Sequence, residues 1–262
     1  MSNPFLSVII PAYNERERIG TTLESVYNYV SLQDYLYEII VVDDGSRDGT
    51  PEFVKTFQSS IPNLTLLINE KNRGKGYSVK RGMLEAKGEF RIFMDADNSV
   101  DISHLPSFLS AMQGGDVDVA IGSIKVGHFE AHEHAGWYRR MLGSYANVLV
   151  QLFAVPGIQD TQRGFKVFSR KAADSIFPYQ TIERFGFDIE VLVIARAHRL
   201  NIRELPVQWN NPAGSKVTAA SYVQTLSELA KITRNRILRR YSMKQLPQEI
   251  SFVYESSGQA KH

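Results

Sequence analysis

Five times in the first 122 residues a short apolar run, rich in β-branched residues, closes in polar or acidic ones. Each of the first four is followed by a stretch with helical spacing. "LSVIIP" precedes a run with Ile19, Leu23, Val26 and Val30 on one face, and "YEIIVVDDGS" precedes "TPEFVKTFQSS", where Thr50 is expected as N-cap and Pro51 at the first helical position. "LTLLIN" precedes a helix over "KGYSVKRGMLEAKG", with its end expected at Gly88, and "FRIFMD" precedes "SHLPSFLSAMQ". "DVDVAIGS" is the fifth strand. Strands alternating with helices predict βαβ units, so the fold class expected is α/β with a mostly parallel central sheet flanked by helices. Parallel sheets bind ligands beyond the carboxyl ends of their strands. The polar clusters "PAYNE" (11–15), "DDGS" (43–46), "DADNS" (95–99) and "GS" (122–123) all fall there, so their acids are expected to share one cleft.

Beyond residue 122 the alternation loosens. "RGFKVFSRKAADSIF" (163–177) reads as strand then helix, and 185–200 as a helix with Ile189, Leu192, Val193 and Ala197 inward. A strand over 201–209 and a long helix over 221–241 complete the pattern. One domain is expected over 1–242, in two halves (1–122 and 123–242), with a loosely ordered tail at 243–262. A net charge of +2 offers no global attraction to nucleic acid. The absence of cysteine excludes disulfides, thiolate metal sites and a cysteine nucleophile. No signal peptide is expected from the first residues. The apolar stretch 145–158 is broken by Asn147, Gln151 and Pro156 and falls short of the ~20 residues of a spanning helix. A soluble or peripheral protein is therefore expected.

Three motifs carry chemistry. In Asp95-Ala96-Asp97, residues two apart in an extended segment face the same side, so both carboxylates can address one hard cation, Mg²⁺ or Mn²⁺. Asp101 reads as an exposed loop acid or a helix N-terminal charge. Asp43-Asp44-Gly45-Ser46 forms a turn in which at least one aspartate can accept from a base or ribose. Asn72-Arg73-Gly74-Lys75-Gly76 enters a helix, where glycines permit close approach and the helix N-terminus favours anions.

Taken in order, "VIIPAYNE", "IIVVDDGSRDGT", "NRGKGYSVKRGM", "FMDADNS" and "AIGS" resemble the family 2 glycosyltransferases. "GIQDTQRGFKVFSRKAA", "IERFGFDIEVLVIA" and "IRELPVQWNNPAGSK" are similar to the dolichyl-phosphate β-glucosyltransferases among them. The resemblance runs from about Phe5 to Arg240 and implies a GT-A fold, with a nucleotide-sugar donor held by residues 1–122 and the acceptor by 123–242. It further implies inverting transfer, with glucose from UDP-glucose passing to a polyprenyl phosphate at the cytoplasmic face of a membrane. Alternatives are another donor (GDP-mannose or a UDP-N-acetylhexosamine), a non-lipid acceptor, or a nucleotide-sugar binding protein without turnover.

Carried onto this chain, the resemblance places Pro11, Ala12, Tyr13 and Glu15 around base and ribose, with Asp43 and Asp44 nearby and Lys75 by the nucleotide. Asp95 and Asp97 would bind the metal, with Ala96 between them in the donor site, and Lys216 would reach the diphosphate. Asp160, counted with Asp97 as catalytic, would act as base or orient the acceptor. Relatives often carry an arginine, linked to the acceptor phosphate, where this chain has Ile124. Its role is expected to fall to Lys125, Arg139 or Arg140, with Gln162 also on the acceptor side. Ser99 stands where mannose synthases can use a glutamine as a metal ligand. The histidine-rich "HFEAHEH" (128–134) reads as a polar loop over the cleft, and the aromatic, basic and then apolar run at 136–153 as a core helix or a membrane-facing element. Six basic residues and no acid between Lys231 and Lys244 suit anionic headgroups.

Overall fold

The computed structural model describes residues 3–127, 155–161, 163–210 and 219–242. Its elements in chain order are β1 (Leu6–Ala12), α1 (Ile19–Val30), β2 (Tyr37–Asp43), α2 (Thr50–Phe57), β3 (Leu64–Ile68), α3 (Lys75–Glu85), β4 (Phe90–Met94), α4 (Leu105–Gln113) and β5 (Val119–Ser123). There follow β6 (Phe165–Ser169), α5 (Arg170–Ile176), α6 (Phe187–Ala197), β7 (Ile202–Pro206) and α7 (Ala219–Ile237). The seven strands form one sheet in the order β3-β2-β1-β4-β6-β5-β7. β6 alone runs against its neighbours β4 and β5, and the other pairs are parallel. The carboxyl ends of β1, β2, β4 and β5 therefore lie on one edge, as the polar clusters predicted.

The sheet is covered on both faces, which is why its strands are nearly continuous in apolar residues. Alternation along each strand sends Val8, Ile10, Ile39, Val41 and Ile92 to one face, packed with α1, α2 and α4. Ile9, Ile40, Val42, Phe93 and Phe168 go to the other, packed with α3, α5 and α6.

Local details differ from the sequence reading in three places. Gly49, at φ 84°, is the N-cap of α2, so Thr50 is the first helical residue and Pro51 the second, each one place further in than expected. The Asp48 carboxylate accepts from both the Thr50 backbone N–H and its hydroxyl, 3.0 and 2.5 Å, so the aspartate does the job expected of the threonine. α3 ends at Glu85, three residues before Gly88, and Ala86 turns extended behind it. Ala197 is exposed at the end of α6, while Ile189, Leu192 and Val193 are buried as expected.

Candidate active site

The loops after β1 and β2 are stitched together. Asp44 N–H donates to the Ala12 carbonyl, Asn14 N–H to the Ser46 hydroxyl at 2.8 Å, and Glu15 N–H to the Thr50 hydroxyl at 2.9 Å. Asn14 supports the sharp turn with φ 51°. Pro11 and Ala12 are buried at the end of β1, while Tyr13 remains 37% exposed at the rim. The Glu15 carboxylate is ion-paired with Arg18 at 2.6 Å.

The two aspartates at the end of β2 do different things. Asp44 is a brace for the loop before α3. One of its oxygens accepts from Asn69 and from Arg73 N–H, both at 2.9 Å, and the other from Gly74 N–H at 2.7 Å. Asp43 uses one oxygen on the turn N–H groups of Gly45 and Ser46, at 3.1 and 3.0 Å. Its other oxygen is buried and has no partner among the described residues. A buried acceptor without a donor costs about 1–3 kcal/mol, and this oxygen can accept an N–H brought to it.

The loop 72–76 turns its glycines toward protein. Gly74 has φ 115°, and a Cβ there would lie 2.5 Å from the Glu183 carbonyl oxygen. A Cβ on Gly76 would lie 2.6 Å from that of Ile182. The small residues thus admit the 182–184 backbone and set α3 so that Lys75, at its start, reaches across the cleft.

Lys75 Nζ meets Asp95 Oδ1 at 2.5 Å. Burial disfavours the Lys75 charge, but the carboxylates of Asp95, Asp188 and Asp97 outweigh it and hold its pKa above the ordinary value. Asp97 accepts from Ser99 N–H at 3.1 Å, and its other oxygen lies 3.8 Å from Arg18. Ala96, between them, is buried and its carbonyl accepts from the Thr22 hydroxyl at 2.7 Å. Asp101 caps the short turn Ile102–His104 by accepting from Ser103 N–H, the helix-start role expected of it.

As donors for a metal, Asp95 and Asp97 supply hard carboxylate oxygens, both partly exposed to the cleft and balanced here by Lys75 and Arg18. Among the described residues no third acid or histidine joins them. That set fits a Mg²⁺ or Mn²⁺ ion whose remaining positions go to water and phosphate oxygens.

The facing wall of the cleft arrives from β6. Residues 159–164 lead into this antiparallel strand, and Asp95 N–H donates to the Gly164 carbonyl at 3.2 Å. Gly164 is pressed so closely on Asp95 that a Cβ there would lie 2.1 Å from Oδ2. Asp160 is 8% exposed. Its carboxylate accepts from Arg163 Nε at 2.9 Å and from Ile124 N–H at 3.4 Å. The Glu204 carboxylate fixes the loop by accepting from the N–H groups of Gln159 and Asp160, both at 2.9 Å. Lys125 is exposed and donates to the Gln159 carbonyl. Arg139, Arg140, Gln162, Lys216 and the 128–134 histidines lie outside the described residues.

Comparisons with known sequences and structures bear on the family and the fold. The family model Glycosyl transferase family 2 matches residues 7–177. The chain belongs to glycosyltransferase family 2. It is 33% identical to the dolichyl-phosphate beta-glucosyltransferase ALG5D of Trichomonas vaginalis over 87% of this chain and 72% of that one. It is 33% identical to the dolichyl-phosphate beta-glucosyltransferase of Dictyostelium discoideum over 93% and 78%, and 34% identical to that of Homo sapiens over 81% and 69%. Among solved structures, glucosyl-3-phosphoglycerate synthase from Mycobacterium tuberculosis in complex with UDP superposes with a TM-score of 0.64 at 19% identity, covering 88% of this chain and 80% of that one. Mannosyl-3-phosphoglycerate synthase from Rubrobacter xylanophilus gives 0.64 at 15% identity, covering 95% and 80%. These two show the fold, a GT-A-like one, and the chain is a glycosyltransferase.

Five residues in and beneath this glycosyltransferase's cleft escaped the sequence reading. Arg18 bridges Glu15 and Asp97, Glu204 sets the Asp160 loop, and Arg163 pairs with Asp160. Beneath them, Lys166 and Asp188 form a sealed ion pair. Lys166 faces Phe93 in the β4–β6 register and donates to Asp188 and to the Arg163 carbonyl. Burial pushes the Lys166 pKa down and the Asp188 pKa up, and each partner's charge opposes the other's shift. A lysine inside "GFKVF" and an aspartate inside "FGFDIEVLV" were the available signal, since lone charges in apolar runs need partners.

Proposed function

We propose that this glycosyltransferase moves glucose, with inversion, from UDP-glucose to a polyprenyl phosphate at a membrane surface. The carrying observation is the seating of Gly164 against Asp95, which brings the Asp160 loop to the edge of the donor acids. One cleft can then hold an acceptor against C1 of a bound sugar. The names of the relatives supply the acceptor class and the sugar. In this reading Asp95 and Asp97 hold a divalent cation, which when bound neutralises charge on the leaving diphosphate.

The chain's own residues do the rest. Lys75 keeps a positive charge beside the diphosphate, and the unpartnered oxygen of Asp43 accepts from a nucleobase N–H. Asp44 holds the loop before α3 rather than the nucleotide itself. A polyprenyl phosphate is ionised at neutral pH, so Asp160 orients the acceptor and has no proton to remove.

Membrane contact in this reading is peripheral, at the cytoplasmic face. No helix among the described residues is long and apolar enough to cross a bilayer. Arg234, Arg236, Arg239 and Arg240 are exposed at the end of α7, beside Ile237 (74% exposed) and Leu238 (53%). The Arg196 pKa is lowered by burial and then by the nearby Arg236, which marks concentrated positive charge. Such a patch suits anionic headgroups.

The test is a donor panel with Mg²⁺, Mn²⁺ or EDTA and a polyprenyl phosphate, with product lipid read by mass spectrometry. Glucosyl lipid from UDP-glucose, lost in EDTA, is the expected result. Preference for GDP-mannose would overturn the donor, and turnover undiminished in EDTA would overturn the cation.

A further inference from the structure

We propose that Arg163 is the group that receives the acceptor's phosphate. The proposal rests on the reading of the acceptor as a polyprenyl phosphate and names the side chain that recognises its charged end. An anionic acceptor must approach a cleft already lined by Asp95, Asp97 and Asp160, so a cation has to stand between its phosphate and Asp160. Ile124 donates a backbone N–H to Asp160 but carries no charge of its own.

Among the described residues, the cations near Asp160 and Asp95 differ in what they can do. Lys75 is committed to Asp95 on the donor side. Lys166 is fully buried beneath the loop and bound to Asp188. Lys125 is exposed at the surface and donates to the Gln159 carbonyl, with no planar fork to offer a phosphate. Arg163 is both fixed and open. Its Nε donates to Asp160 at 2.9 Å, its guanidinium lies 4.8 Å from the centre of the Trp209 ring, and its side chain keeps 20% exposure. The ammonium of Lys166 pins its backbone from below by donating to the carbonyl at 2.5 Å. Among the described residues nothing else bonds its head. A guanidinium has five N–H donors in a planar fork, so with Nε engaged the two Nη groups can take a phosphate in bidentate fashion.

Sequence position completes the argument. Arg163 immediately precedes Gly164, whose backbone touches Asp95. A phosphate held by Arg163 is thus kept beside the donor site. In the step, a phosphate oxygen forms a bond to C1 as the bond from C1 to the diphosphate breaks. The electron pair leaves with the diphosphate and no proton moves. Arg163 serves both anions, shielding the phosphate from the Asp160 carboxylate while Asp160 holds the guanidinium in place.

Trp209 supplies a probe. The chain has two tryptophans, so Trp137→Phe leaves Trp209 as the sole indole reporter. In that background, farnesyl phosphate but not farnesol should alter Trp209 emission. Arg163→Gln should weaken this binding at least ~tenfold, the scale of one charged hydrogen bond, and Arg163→Lys should restore part of it. In turnover the same substitution should raise the acceptor KM while UDP affinity stays at the wild-type value. Three results would overturn the proposal: equal farnesyl phosphate affinity in Arg163→Gln, joint loss of UDP and acceptor binding, or a fall in kcat at unchanged acceptor KM. The last would make Arg163 only a holder of Asp160. Arg163-dependent binding of farnesyl phosphate without sugar transfer would support the phosphate site while refuting the polyprenyl acceptor.

Discussion

Gly164→Ala separates the fold from the site more cleanly than removal of any charged residue. Gly164 has no left-handed φ, so its backbone accepts alanine without strain. The new Cβ, however, would lie 2.1 Å from Asp95 Oδ2 and 2.3 Å from Cγ, whereas ordinary van der Waals contact begins at 3.4 Å. The carboxylate must therefore retreat by more than ~1 Å, and Lys75, now 2.5 Å from it, must follow or let go. Misplacement on the scale of ~1 Å in a positioned catalytic group costs about 10²-fold in rate, or close to ~3 kcal/mol of barrier. The fold loses less, since a short carboxylate at the cleft rim can rotate away, and overpacking of this kind costs roughly 1–3 kcal/mol. The expected variant is folded, binds UDP without metal as the wild type does, and turns over about 100-fold more slowly. Its metal-dependent gain in UDP affinity, read by titration calorimetry, should be reduced. Wild-type turnover together with wild-type metal dependence would refute the reasoning, because Asp95 would then tolerate displacement and could not be holding the cation.

Further expectations concern the same cleft and its supports. Asp97→Asn should abolish transfer in a protein with an unchanged melting curve, because a neutral amide is a poor ligand for a dication; full activity would remove Asp97 from the metal site. Asp160→Asn should lose most turnover yet keep its nucleotide affinity, and a collapse of both would move Asp160 to the donor side. Asp188→Ala leaves the Lys166 ammonium buried and unpaired, at a cost of about 3–5 kcal/mol in chemical denaturation, while Lys166→Met with Asp188→Leu should be milder. A single variant no worse than the double would show the pair is not ionised. Changing Arg234, Arg236, Arg239 and Arg240 to Gln should weaken salt-sensitive binding to anionic liposomes, since the Debye length is ~10 Å at 0.1 M. Equal binding of the variant and of neutral liposomes would rule out electrostatic docking.

The strand order along the chain, the edge on which the acids gather and the residues turned into each face were legible because they follow from periodicity alone. Val8 and Ile9 go to opposite layers since successive strand residues must. Asp95 was legible as an acid just past a strand, but β4 stops at Met94 and residues 96–97 turn, so the alternation expected to align Asp95 with Asp97 does not extend to them. Local capping was less so: Asp48 and Thr50 are both competent caps, and the choice depends on how Gly49 turns the chain.

Which aspartate of the β2 pair braces a loop and which keeps a free oxygen depends on where Asn69, Arg73 and Gly74 arrive, 25 to 30 residues later. The sequence by itself determined the doubly covered sheet and the acid-lined cleft, because both are dictated by spacing between near neighbours. Only the tertiary structure decided the pairings of Lys75 with Asp95, Arg163 with Asp160 and Lys166 with Asp188. Two of these join residues 20 or more positions apart, and the third, three positions apart, forms in a loop whose shape is fixed by the distant Glu204 carboxylate. A charge's role is set by whatever the fold brings within a few ångströms of it, and no periodicity in the chain encodes that.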